Sequence, residues 1–148
     1  MKISKELSKF KSVFIDTAPI IYYIEAHSKF GPIAKELVGL SQSGKIVAFT
    51  SVITLAEVLP KPIELGHQEL ADKFANFLKK GKNISMIDVT IEAADIAGRL
   101  KGKHKFLNTM DSIQIGSAIN ADADVFVTND LNLKKIKEIK VLALKDFV

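Results

Sequence analysis

Five short apolar runs, separated by stretches of helical pattern, constrain the fold of this chain more than any other feature. They are Ser12–Ile15, Ile46–Phe49, Ile84–Ile87, Val125–Val127 and Val141–Leu144. A strand with one solvated face alternates apolar and polar residues. These runs are apolar almost throughout, so they suit a parallel sheet covered on both faces. Helices are predicted over residues 17–25, 30–41, 51–59, 66–80, 90–101, 109–121 and 130–137. The fourth is the clearest: Leu70, Phe74, Phe77 and Leu78 form one apolar stripe, opposite Asp72, Lys73, Asn76 and Lys79. Pro60 and Pro62 are expected to close the third helix, while Pro19 and Pro32 stand in first turns, where proline is tolerated. Strands alternating with helices predict an α/β fold, three-layer α/β/α, with a central parallel sheet of about five strands. Residues 1–148 are expected to form a single domain.

Composition narrows the chemistry. With 148 residues, 47% of them hydrophobic, the chain can bury a core without disulfides or structural metal. Its lack of cysteine excludes a zinc-thiolate site and a thiol nucleophile, so any metal must sit among oxygen or imidazole ligands. No apolar run reaches membrane-spanning or signal-peptide length, and a cytoplasmic location is the expectation. The net charge of +4 is compatible with a polyanionic partner. It is carried by lysines and the one arginine, Arg99, and serves equally well as solubilising surface.

In a parallel sheet fed by helices, strand C-termini and helix N-termini share one edge, and ligands bind there. Asp16 follows the first run directly, and Asp130 follows the fourth after Thr128 and Asn129. Asp111 opens the helix leading into the fourth run, and Glu57 lies in the second turn of the helix after the second. Val52, Ile53, Leu55, Ala56, Val58 and Leu59 surround Glu57, which predicts a buried helix and a buried glutamate. Four carboxylates gathered on one edge repel one another unless a cation neutralises them. Oxygen-only ligation selects Mg2+ or Mn2+. Taken singly, each acid also has a plainer role. Asp16 and Asp130 suit helix caps, Asp111 suits a helix dipole, and Glu57 could be satisfied by a hydroxyl such as Thr54. Their convergence is what distinguishes them.

These residues resemble the PIN domains, and within them the VapC-like ribonuclease toxins. Val13-Phe14-Ile15-Asp16-Thr17-Ala18 resembles the opening strand with its first acid and following hydroxyl, and the stretch from Thr50 to Val58 the helix that brings the glutamate. Met110 to Ala118 is similar to the segment with the third acid, and Val127-Thr128-Asn129-Asp130 to that with the last. The resemblance extends from about Ser12 to Val148. Ala18 departs from it, standing where many members carry asparagine, and the lysine-rich Arg99–Lys105 stretch replaces a shorter loop.

The resemblance implies a Mg2+- or Mn2+-dependent endoribonuclease, the toxin of a toxin–antitoxin pair, with an RNA substrate, a cognate antitoxin and a homodimeric state. Asp16, Glu57, Asp111 and Asp130 are then the catalytic and metal-holding residues, supported by Thr17, Thr128 and Asn129. Ser51 and Ser112 are weaker candidates for such support. Lys101, Lys103, His104 and Lys105 could meet the RNA, as a basic loop leading into the third acid's helix, or be merely solvated. Tyr22, Tyr23 and Phe30 could stack on bases, but their spacing suits packing better. One alternative is an inactive PIN-fold scaffold that binds RNA or assembles partners. Another is a receiver-type phosphoacceptor domain, in which Asp88, Thr128 and Lys145 would follow the third, fourth and fifth strands.

Overall fold

The computed structural model describes residues 1–81 and 84–148. Its strands are β1 (Ser12–Ile15), β2 (Val47–Ser51), β3 (Ser85–Ile87), β4 (Val125–Thr128) and β5 (Lys140–Ala143). The helices are α1 (Ile3–Leu7), α2 (Thr17–Ile24), α3 (Gly31–Gln42), α4 (Val52–Val58), α5 (Pro60–Glu64), α6 (Gln68–Lys79), α7 (Ile91–Lys103) and α8 (Thr109–Asn120). All strand pairings are parallel, in the order β3-β2-β1-β4-β5. Helices cover both faces of this sheet, which makes the expected three-layer α/β/α fold.

The apolar runs bury both sides of each central strand because successive side chains point to opposite faces. Val13, Ile15, Val125 and Val127 join the core beneath α1, α2, α3, α4 and α6. Phe14 and Phe126 point the other way, stack at 5.5 Å and meet Leu100 of α7 and Ile115 and Ala118 of α8. The pair α7 and α8 forms an antiparallel hairpin, shown by the bond from Asn120 Nδ2 to Thr90 Oγ1 at one end and from Lys101 Nζ to the Leu107 carbonyl at the other. Gly116 permits their close approach. A Cβ there would come within 2.6 Å of the Ala93 carbonyl oxygen and 3.0 Å of the Ala97 nitrogen.

Two local predictions need correction, and one helix was missed. Pro60 does end α4, but as the first residue of the next turn it also opens α5, since a missing N–H costs nothing there. Residues 131–135 form a 3-10 turn rather than a helix to 137, because Ile136 is already extended at φ −70° and ψ 135°. The helix α1 was not predicted, yet its Ile3 and Leu7 are buried in the core.

The strand order also disposes of the receiver alternative. That fold has the order 2-1-3-4-5, with its third strand beside the first. Here β3 is an edge strand, so β2 and β1 stand between Asp88 and Thr128. Between β1 and β4 the chain direction across the sheet reverses: β2 and β3 are added on one side, β4 and β5 on the other. That reversal creates a crevice at the carboxyl ends of β1 and β4, where ligands bind in open α/β sheets.

Candidate active site

Asp16 stands at this crevice, one residue past β1, and Thr128, Asn129 and Asp130 run off the end of β4 beside it. Both oxygens of Asp16 are committed. Oδ1 accepts from the Thr17 backbone N–H at 2.9 Å, which also caps α2, and Oδ2 accepts from Thr128 Oγ1 at 2.8 Å. Thr128 Oγ1 in turn accepts from the Asp130 N–H at 3.2 Å, so one hydroxyl ties the two acidic strand ends together. Desolvation raises Asp16 to about 6. The bonds from Thr17 and Thr128 pull it down, while the charges of Asp111 and Glu57 push it further up.

Asp111 lies in the first turn of α8, capped by Asn108, whose Oδ1 accepts from the Asp111 N–H at 2.7 Å. Desolvation, then the charges of Asp130 and Glu57, raise its pKa as well. The four acids therefore form one electrostatic group: Asp16 senses Asp111 and Glu57, and Asp111 senses Glu57 and Asp130. The ion pairs among the described residues involve Glu6, Asp95, Glu138 and Asp146, and none of these four. Asp130 is exposed and caps the 131–135 turn through a 2.9 Å bond from the Asn132 N–H, so its plainer role holds alongside the acidic one.

Glu57 departs from expectation. It is exposed, and of α4 only Thr54 and Val58 are buried. A short helix that is apolar nearly all round need not be covered all round, and Val52, Ile53 and Leu55 remain half-buried at the surface. The burial lies beneath the carboxylate instead. Glu57 Oε1 accepts from Thr17 Oγ1 at 2.6 Å, Thr17 and Thr54 hydroxyls are 3.0 Å apart, and Thr50 Oγ1 donates to Thr54 Oγ1 at 2.9 Å. A hydroxyl has one proton to give. Since Thr17 gives its proton to Glu57, Thr54 must donate to Thr17, and the chain runs in one direction from Thr50 to the carboxylate.

Gln114 completes this network and was not anticipated. Fully buried on α8, three residues after Asp111, it donates from Nε2 to Thr54 Oγ1 at 2.9 Å and to Thr17 Oγ1 at 3.4 Å, and accepts a short bond from Ser51 Oγ. Ser51 also caps α4 by accepting from the Ile53 N–H. One amide thus joins the helix of Asp111, the start of the helix of Glu57 and the residue after Asp16. Its sequence signal was a long polar side chain within the otherwise small and apolar Ile113–Ala118 stretch.

Other expected contributors are placed elsewhere. Asn129 turns from the acids, donating from Nδ2 to the Tyr22 hydroxyl at 3.2 Å and accepting the Lys145 N–H at 3.0 Å. Ser112 bonds the Asn108 carbonyl within its own helix start. Tyr22 and Tyr23 pack on Phe30 and Phe77 respectively. The basic stretch is not a free loop. Lys101 and Lys103 belong to α7, Lys101 bonds the Leu107 carbonyl, and Lys103 and His104 pair with Glu138 at 3.3 and 2.9 Å. An acid 34 residues from His104 has drawn these side chains toward the 131–139 connection.

The donor chemistry suits a hard divalent cation: four carboxylates, all-oxygen, two of them raised in pKa and none paired with a lysine or arginine among the described residues. As placed, no three acids among the described residues enclose an ion.

The fold and site define a doubly wound α/β protein with an acidic, oxygen-lined crevice at its switch point. Residues 13–139 match the family model described as PIN domain, and the chain belongs to the PIN domain family. No curated protein sequence matches it. Among solved structures, it is similar to VapBC2 from Rickettsia felis bound to a DNA fragment from its promoter, at 20% identity, TM-score 0.71, over 89% of this chain and 98% of that one. DNA-bound VapBC from Salmonella typhimurium matches at 21% identity and TM-score 0.70, over 90% and 98%. VapC20 of Mycobacterium tuberculosis, a sarcin-ricin-loop-cleaving toxin, matches at 17% identity and TM-score 0.63, over 77% and 86%. At these identities the likeness establishes the fold.

Proposed function

We propose that this PIN-domain protein is a Mg2+- or Mn2+-dependent endoribonuclease of the VapC type, the toxin of a toxin–antitoxin pair. One observation carries the reading: Asp16, Glu57, Asp111 and Asp130 form a mutually repelling carboxylate group at the switch point, and none of the four takes part in an ion pair among the described residues. Asp16 and Asp111 would hold the ion directly, and Glu57 and Asp130 directly or through water. When bound, the ion neutralises the phosphate and makes a water molecule a better nucleophile at neutral pH.

The chain's own groups do the rest. Thr128 and the Thr17 N–H fix both oxygens of Asp16, and Thr17 fixes one oxygen of Glu57, leaving its other oxygen to accept a proton from the attacking water. Hydroxyls aimed at a carboxylate from beneath keep its orientation before substrate arrives. The likeness to VapBC complexes supports an antitoxin partner, and homodimerisation and a cytoplasmic setting belong to the same reading.

Cleavage of single-stranded RNA by purified protein, with Mn2+ and with EDTA, tests it beside Asp16→Asn and Asp111→Asn. Metal-dependent cleavage lost in both variants is expected. Undiminished activity in both would refute the site, and a wild-type protein that binds no Mn2+ would favour the scaffold reading.

A further inference from the structure

A cleft of about 470 Å3 lies between α2, the α4–α5 corner and α6, and Glu57 forms part of its wall. Since Glu57 also belongs to the acidic group, cleft and acids are contiguous. Apolar side chains dominate the interior, with Ile21, Leu70 and Phe74 among them, while Leu65, 59% exposed, stands at the cleft and remains accessible. Lys61 and His67 supply hydrogen-bond donors beside Glu25 and Glu57.

These features select the occupant. Two glutamates in the wall disfavour a phosphate inside, and apolar surfaces disfavour the ribose hydroxyls. A nucleobase has apolar faces and a polar edge, and Lys61, His67 and Glu25 offer partners of both kinds for that edge. We infer that the cleft is a subsite for a base of the RNA strand, next to the phosphate handled by the acids, and that it contributes sequence preference. This rests on the nuclease reading and deepens it.

The test uses the full-length protein and a labelled single-stranded oligoribonucleotide, with a series in which one nucleotide at a time is replaced by an abasic ribose. Binding is measured in EDTA and cleavage separately in Mn2+. Removing the base at one position beside the cut should weaken wild-type binding about tenfold, and other positions should matter less. Leu65→Trp, which fills the cleft from an exposed position, should bind the intact strand about as weakly as wild type binds that abasic strand, and should no longer distinguish the two. Lys61→Ala should reduce the discrimination in part. Wild-type binding indifferent to every abasic substitution would overturn the subsite. So would full discrimination retained by a folded Leu65→Trp, as expected of a cleft occupied by a peptide. Base-dependent binding without Mn2+-dependent cleavage would defeat the nuclease reading alone, whereas cleavage without base dependence would defeat the subsite alone.

Discussion

Asp16 and Glu138 are both carboxylates in positions where the chain leaves a strand or enters one, yet the protein treats them in opposite ways. Glu138 feels some desolvation, but bonds from His104, its own backbone, Lys103 and Lys137 bring it down to about 2. Asp16 receives only neutral donors, has Asp111 and Glu57 for neighbours and rises to about 6. The first is a carboxylate whose electrostatics the fold itself has settled. The second has no such partner, and that contrast marks Asp16 out as a candidate functional acid where exposure would not, since Glu57 and Asp130 of the same proposed group are exposed.

The largest effect expected of this contrast is on catalysis. Asp16→Asn should lower RNA cleavage by roughly 10²–10³-fold, the scale seen when one preorganised electrostatic partner of a transition state is removed. Asp111→Asn should do likewise, with Mn2+ binding by calorimetry weakened in parallel. Retained Mn2+ affinity in Asp16→Asn would place the ion elsewhere and break the comparison.

Next in size is the buried network that serves Glu57. Replacing Gln114 by Leu leaves Ser51 Oγ without its Gln114 acceptor and withdraws two donors from the Thr54 and Thr17 hydroxyls. Loss of stability by about 1–3 kcal/mol is expected from the unsatisfied polar groups. Mn2+ affinity should fall by about 10–100-fold, as when the support behind a metal ligand is lost. Gln114→Met keeps the length of the side chain without its donors or acceptor, and should recover packing stability in part relative to Leu without recovering affinity. Equal recovery of both would reduce the network to a packing device.

How much of this could be read from residues alone follows from the range of the forces involved. Asp16, Thr17, Thr128 and Asp130 were legible because strand ends are marked locally and a parallel sheet puts them on one edge. Gln114 was not, because its value depends on Ser51, Thr54 and Thr17, which lie 60 or more residues away. The same distance effect misplaced the basic stretch: Lys103 and His104 looked free until the fold brought Glu138 to them. The expected burial of Glu57 failed for a different reason. Hydrophobic neighbours describe the helix, whereas exposure depends on what is packed against each side of it.

A smaller effect distinguishes the two acids by pH. The folded value of Asp16 lies above its ordinary 3.8, so its stabilising contribution is complete below that value and is lost as pH rises through about 6. Metal-free wild type should therefore lose more thermal stability between pH 5 and 7 than Asp16→Asn does, and Mg2+ at pH 7 should restore it. Mn2+ binding should weaken below about pH 6, where Asp16 takes up its proton. Parallel melting curves for the two proteins from pH 4 to 7 would show that Asp16 titrates normally.

Glu138→Gln should produce the smallest change, and its smallness is informative. The sign is opposite to that of Asp16: the contribution of Glu138 is present above its ordinary 4.5 and disappears as pH falls through about 2. Because the pairs with Lys103 and His104 are partly open to solvent, the loss at pH 7 should stay below about 1 kcal/mol. Denaturant midpoints of the variant and wild type should converge in acid, and RNA cleavage and Mn2+ affinity should be unchanged. A Glu138→Gln protein that cleaved RNA faster would mean that Lys103 and His104, once released, bind the strand. Glu138 would then be a restraint on the active site, and the division between a settled acid and an unsettled one would no longer separate structure from function.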